Sequence, residues 1–228
     1  SEEVPFFINL KNHLIKKKFL CPKPITDING NIIKTLQGKK CILISFLEGY
    51  KTKNITNMHC EQVGNILALF HKNTQDFKEK RMNSMSYAQW EKIYNICQIL
   101  SSNQNKYRSL IPVIKEELIF LKKNWPSKLP EGVIHADVFQ DNVFFINNSF
   151  SGLIDFYFAC NDFLAYDLAL TINAWCFDNS NNFVNERLNS LIRGYETIRK
   201  LTVEEKRDMP ILLRGAALRI LLTRLHDL

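Results

Sequence analysis

Apolar positions recur along this chain with two different periods, and the change falls near Gly49. Val4, Phe7, Leu10 and Leu14 are spaced three and four apart, which places them on one face of a helix over residues 3–18. The "CPKP" stretch at 21–24 ends that helix, because proline lacks an amide proton and restricts the residue before it. Short β-rich runs follow, "IIKTL" and "CILISFL", separated by the turn sequences "NGN" and "QGK". Such runs read as antiparallel strands. Cys41–Leu47 is apolar on both faces, so it is expected to be the central strand of this small sheet. Glu48-Gly49 then reads as a hinge.

Beyond Gly49 the helical period takes over. A helix capped by Thr56 carries Val63, Ile66, Leu67 and Phe70, and a second over 86–101 carries Trp90, Ile93, Tyr94 and Cys97. A third, over 107–124, stops at Trp125-Pro126. Four further helical patterns are expected towards the C-terminus, one opened by Thr202 and Glu205 at capping-box spacing. One polar strand–loop–strand insert interrupts the helices: "VIHADVFQDNVFFI" at 133–146, followed by the strand "SGLIDF" at 151–156. The pattern predicts an α+β chain of two lobes, residues 1–47 and 48–228, with a hinge and a cleft between them.

Composition narrows this only a little. With 228 residues, 46% of them hydrophobic and 23% charged, the chain can bury a substantial core and is not disordered. The net charge of +7 is spread out, with "IKKKF" and "GKK" as its clusters, so it reads as a solvated basic surface rather than a nucleic-acid footprint. Six cysteines, widely spaced and partly inside apolar runs, suggest free thiols in a reducing compartment. No apolar run approaches the ~20 residues needed to span a bilayer, and a cytoplasmic location is expected.

The insert carries the chemistry. His135, Asp137, Asp141 and Asn142 stand between two apolar runs, where a hairpin needs only one or two turn residues. Asp137 and Asn142 are five apart, and Asp155 follows on the next strand. This matches the kinase spacing H-x-D-x-x-x-x-N followed by D-F. Phosphoryl transfer from a magnesium nucleotide asks for one carboxylate to orient the acceptor hydroxyl and oxygen ligands for Mg²⁺. Asp137 is the expected base, and Asn142 and Asp155 the expected metal ligands. His135 reads as scaffolding of the loop and Asp141 as a turn former. Ala136 stands where protein kinases have arginine and Tyr157 where D-F-G has glycine. The chain then enters a helix with no room for an activation segment, so the acceptor is expected to be a small molecule.

The stretch "GVIHADVFQDNVFF…SGLIDFYFACNDFLAYDLALTINAWCF", with "ISFLEG" and "RGAALRILLTRLHD", resembles the aminoglycoside-phosphotransferase-like kinases, closest to their bacterial homoserine kinase branch. The resemblance implies a two-lobed protein-kinase-like fold and ATP-dependent phosphorylation of the homoserine hydroxyl, a step towards threonine. It implies that Asp167 buttresses the catalytic loop near His135; an exposed helix-start acid is the alternative. It places the adenine-gripping hinge at Ser45, Phe46 and Leu47. The family's nucleotide-binding loop and phosphate-gripping lysine have no counterpart before the first helix, and Lys34, Lys39 and Lys40 come too late in the chain. The expectation is therefore a piece of a longer kinase, cut at both ends and inactive by itself, with Glu2 or Glu3 as former partners of that lysine.

Homoserine carries a carboxylate that an arginine fork would suit. Arg214, Arg219 and Arg224 on the late helix are the candidates and Arg214 and Arg219 the preferred ligands, with surface or interlobe ion pairing as the alternative. Asn173 and Trp175 could line the same pocket, although core packing is the preferred reading of Trp175. Choline, methylthioribose or an aminoglycoside are other acceptors open to this family, and a non-catalytic binding module is a further reading.

Overall fold

The computed structural model describes residues 4–102 and 108–226, so Glu2 and Glu3 lie outside it, as does the side chain of Cys97. The first helix, α1 (Val4–Lys16), buries Phe6, Phe7, Ile8, Leu10 and Leu14. The hairpin of β1 (Ile33–Leu36) and β2 (Lys39–Ile42) follows, with Ile33 opposite Ile42. Its turn is Gln37-Gly38, both at positive φ, the backbone twist that two-residue hairpins require.

The expected central strand over 41–47 does not form as such. Strand β2 ends at Ile42, and beyond it the chain is held by Ile25 N–H donating to Leu43 O and Ser45 N–H donating to Lys23 O. Leu43 and Phe46 are 66% and 88% exposed, because no described element packs on both faces of this segment.

Helix α2 (Asn57–Asn73) opens with a capping box in which Thr56 and His59 satisfy each other's backbone amides. After α3 (Tyr87–Ser102) and α4 (Leu110–Asn124) come β3 (Glu131–Ile134), β4 (Val143–Ile146), β5 (Ser149–Leu153) and β6 (Cys160–Phe163). These make two antiparallel pairs, β3 with β6 and β4 with β5. The C-terminal stretch holds three described helices rather than the four expected: α5 (Leu164–Trp175), α6 (Asn185–Glu196) and α7 (Val203–His226). Pro210 lies inside α7 without ending it, so the apolar patterns on its two sides belong to one helix. Thr202 and Glu205 form the expected capping box at its start.

Helix α5 is buried on nearly every side and separates two hydrophobic clusters. Leu168, Ile172 and Trp175 face a cluster shared with α1, α2, α6 and the β4–β5 hairpin. Tyr166, Ala169 and Leu170 face another shared with α3, α4 and α7. Residues 6–21 thus share their core with the helical half of the chain.

The crossing of α2 and α6 depends on two glycines. A Cβ at Gly64 would lie 2.0 Å from Leu191 O, and one at Gly194 would lie 1.9 Å from Glu61 O. Alanine at a helical glycine ordinarily stabilises by up to about 1 kcal/mol. Here backbone stands in the way and no rotamer change relieves the overlap. Gly194→Ala is therefore expected to destabilise the protein by about 1–3 kcal/mol, measured by chemical denaturation; a neutral or stabilising result would show that the helices separate freely.

Candidate active site

The site begins where β3 ends. The next two peptide N–H groups, of His135 and Ala136, both donate to the carboxylate of Asp167, at 2.7 Å to Oδ2 and 2.8 Å to Oδ1. Ala136 is thereby held at φ +62°, the left-handed region that costs a non-glycine residue about 1–3 kcal/mol. Its carbonyl accepts from the Arg219 guanidinium at 2.5 Å. The bent peptide is gripped on its donor side by α5 and on its acceptor side by α7.

Asp167 itself is fully buried. Burial alone would push its carboxyl up, but the hydrogen bond from His71 Nε2 at 3.0 Å, the attraction of that ring and the hydrogen bond from the His135 amide hold it below the usual carboxylate range. His135 is buried as well, and burial pushes its imidazole down to about 4 despite the neighbouring carboxylates. A neutral ring donating from Nε2 to Ile154 O at 3.1 Å pins the loop to the strand end opposite, with its edge on Phe156.

Asp137 follows the bend and points into a cleft of about 270 Å³, which Asn142, Asp155, Arg219, Thr223 and Arg224 also line. The amide nitrogen of Asn142 donates to Asp137 Oδ2 and to Asp137 O, each at 2.8 Å. That leaves the Asn142 side-chain oxygen directed elsewhere. The β4–β5 hairpin, turned by Asn147 and Asn148 at positive φ, pairs Val143 with Leu153, and Ile154 N–H continues the pairing to Asn142 O. This brings Asp155, at φ +59°, to the same end of the hairpin as Asn142. Burial pushes the Asp137 carboxyl up to about 6; Arg219 opposes the rise and Asp155 adds to it.

The structure brings Asp137, Asn142, Asp155 and Arg219 together, with His135 and Asp167 beneath them. It places the other expected substrate residues elsewhere. Arg214 makes a two-pronged ion pair with Glu117, at 2.8 and 2.6 Å, and lies over the Phe120 ring on the α4 side. Five helical residues turn a side chain by about 140°, so Arg214 and Arg219 point apart. Asn173 donates to Leu213 O and ties α5 to α7. Trp175 is fully buried and donates to Val138 O, supporting the loop from below.

Of the hinge residues, Ser45 binds the Lys23 backbone, Phe46 is exposed, and Leu47 packs on Gly152, where a Cβ would meet it at 2.2 Å. Sequence reasoning missed His71, which lies on the apolar face of α2 with no motif around it, and Tyr195, which bonds to it. It also passed over Thr223, although Thr223 and Arg224 follow Arg219 by one helical turn.

The chain matches the model of the phosphotransferase enzyme family over residues 1–201. It is 44% identical over 227 residues to a homoserine kinase of Sinorhizobium medicae and 45% identical over 227 residues to one of Bartonella henselae. All of this chain aligns, against 69% and 70% of those proteins. Among solved structures, an amicoumacin kinase in complex with AMP-PNP, Ca²⁺ and amicoumacin superposes with a TM-score of 0.77 at 12% identity, covering 100% of this chain and 71% of that one. A spectinomycin phosphotransferase in complex with ADP and spectinomycin gives 0.71 at 14% identity, over 97% and 71% of the two chains. The fold is thus the two-lobed kinase-like one.

The electrostatics of the cleft have signs that can be measured. In metal-free protein the Asp137 carboxyl is expected to titrate near about 6. Asp155→Asn removes a negative neighbour and should lower that midpoint, whereas Arg219→Met removes a cation and should raise it. Carboxyl ¹³C NMR titration of the three proteins reads both directions, and shifts of opposite sign would contradict the geometry.

Proposed function

The chain belongs to the phosphotransferase enzyme family, and from that premise we propose that it moves the γ-phosphoryl group of ATP to the side-chain hydroxyl of homoserine. The observation that carries this reading is one cleft with two kinds of wall. Asp137, Asn142 and Asp155 supply oxygen atoms on one side, and the buried Arg219 with Arg224 supplies positive charge on the other. The Nε of Arg219 has no partner among the described residues, although its Nη1 is committed to the loop. As cations on that wall, Arg219 and Arg224 would attract a carboxylate in the acceptor. The match to homoserine kinases at 42–45% identity, over all of this chain and 69–70% of theirs, supports the same acceptor.

Asp137 accepts the hydroxyl proton as the acceptor oxygen bonds to phosphorus and ADP departs. The amide of Asn142 holds the Asp137 carboxylate in register, so the base does not depend on the acceptor for its orientation. The donor chemistry fits Mg²⁺: the site offers two carboxylates and the amide oxygen of Asn142, whose nitrogen is the atom turned to Asp137. An all-oxygen set of this kind suits a hard cation. Asn142 and Asp155 would hold it, and it would neutralise charge on the transferring phosphates. The backbone of Ser45–Leu47 receives the adenine. This activity would place the protein on the route to threonine. No described helix is long and apolar enough to cross a membrane, and the described cysteines are free thiols, four of them buried. A cytoplasmic location is part of the same proposal.

The full-length gene product should consume ATP with homoserine and much less with choline, methylthioribose or kanamycin. Homoserine proving inert while another of these turns over would remove the acceptor assignment. Asp137→Asn is expected to lower kcat by about 10²–10⁴-fold while nucleotide binding, followed by calorimetry, stays within a few-fold. A near-normal rate would mean that Asp137 is not the base.

A further inference from the structure

Beneath the cleft, the buried side chains join into a chain of hydrogen bonds that neither the motif nor the reaction calls for. Asp167 Oδ2 faces His71 Nε2 at 3.0 Å, and His71 Nδ1 faces the Tyr195 hydroxyl at 2.9 Å. Arg199 Nη1 donates to that hydroxyl at 3.1 Å, and Arg199 Nη2 donates to Glu205 Oε1 at 2.7 Å. His71, Tyr195, Asp167 and Glu205 are all buried. The direction of donation is fixed from one end. A guanidinium only donates, so the Tyr195 oxygen accepts from Arg199 and turns its own proton towards His71 Nδ1. His71 therefore offers its Nε2–H to Asp167.

The chain closes on itself. Glu205 is part of the capping box that begins α7. Fourteen residues further along the same helix, about 21 Å at 1.5 Å per residue, Arg219 grips the carbonyl of Ala136. Asp167 grips the amide of the same residue. The loop bearing Asp137 is thus one member of a ring that runs through α5, α2, α6 and α7 and returns to the loop.

We propose that His71 and Tyr195 are positioning residues for phosphoryl transfer: by fixing the orientation of the Asp167 carboxylate, they hold the left-handed peptide at Ala136 and so aim Asp137. Neither side chain lines the cleft, and both act through Asp167. The inference rests on the kinase reading above for its kinetic form, but its structural form stands apart from the identity of the acceptor.

The test uses Tyr195→Phe, His71→Leu and His71→Gln in the full-length polypeptide. Tyr195→Phe should lower kcat about 10-fold and His71→Leu about 100-fold, the size expected of a small misplacement of the base. The KM values for ATP and homoserine should stay within about 2–3-fold. His71→Gln, which keeps an N–H donor for Asp167, should recover part of the loss. Amide hydrogen exchange supplies a readout independent of any acceptor. Protection of the His135 and Ala136 amides should fall selectively in Tyr195→Phe, while amides of α2 and α4 keep theirs.

Unchanged kcat with unchanged protection at those two amides overturns the proposal, even if the melting temperature drops. If His71→Leu does not fold, the nearly isosteric Tyr195→Phe decides alone. If homoserine is not turned over by the parent protein, selective loss of protection still supports the ring and the acceptor assignment alone fails.

Discussion

A buried carboxylate on a helix with almost no exposed face is costly, and Asp167 is tolerated because its oxygens receive three hydrogen bonds, from His71, His135 and Ala136. Bonds to a charged group contribute roughly 1.5–3 kcal/mol each, comparable to the several kcal/mol that desolvating one carboxylate costs. The exchange works only if both amides of the loop converge on one point. That requirement sets the bend at Ala136, and the bend sets where Asp137 stands. The position of Asp137, the proposed base, is thus a consequence of satisfying a charge that lies beneath it.

The helical frame serves the same end. Helix α5 is largely apolar around its circumference and separates the two clusters, and Asp167 is its one charged residue, whose hydrogen bonds this apolar surrounding strengthens. Helix α7 reaches the loop from the other side through Arg219. The close contact of α2 with α6 across Gly64 and Gly194 brings His71 within reach of Tyr195. Losing the α5 or α7 contact would leave a polar atom of the loop without its partner, and losing the α2–α6 contact would leave His71 without Tyr195.

Much of this was legible in the amino-acid order, for identifiable reasons. The helix of residues 4–16, the Thr56 and Thr202 caps and the β4–β5 hairpin depend on neighbours a few residues apart, and such local signals survive in sequence. Asp137, Asn142 and Asp155 were visible because the loop that joins them is short. The strand expected over 41–47 failed because an apolar run reports a wish to be covered, not what covers it. Arg214 and Arg219 were not separable until the helical phase was tied to Glu117 on one side and Ala136 on the other. His71 was invisible because its partners lie 96 and 124 residues away, on helices whose packing no local pattern reveals.

The double use of Arg219 has a consequence for how such an enzyme could diversify. One guanidinium nitrogen holds the peptide that precedes Asp137, while the residue also lines the cleft. Replacing it to alter that wall of the cleft would also loosen the loop that bears Asp137. New acceptors are more accessible through Thr223 and Arg224, which line the same wall but make no hydrogen bond to that loop. Freedom to change is therefore graded along a single helix, with a position fixed by the loop at Arg219 and a less constrained one a turn further on.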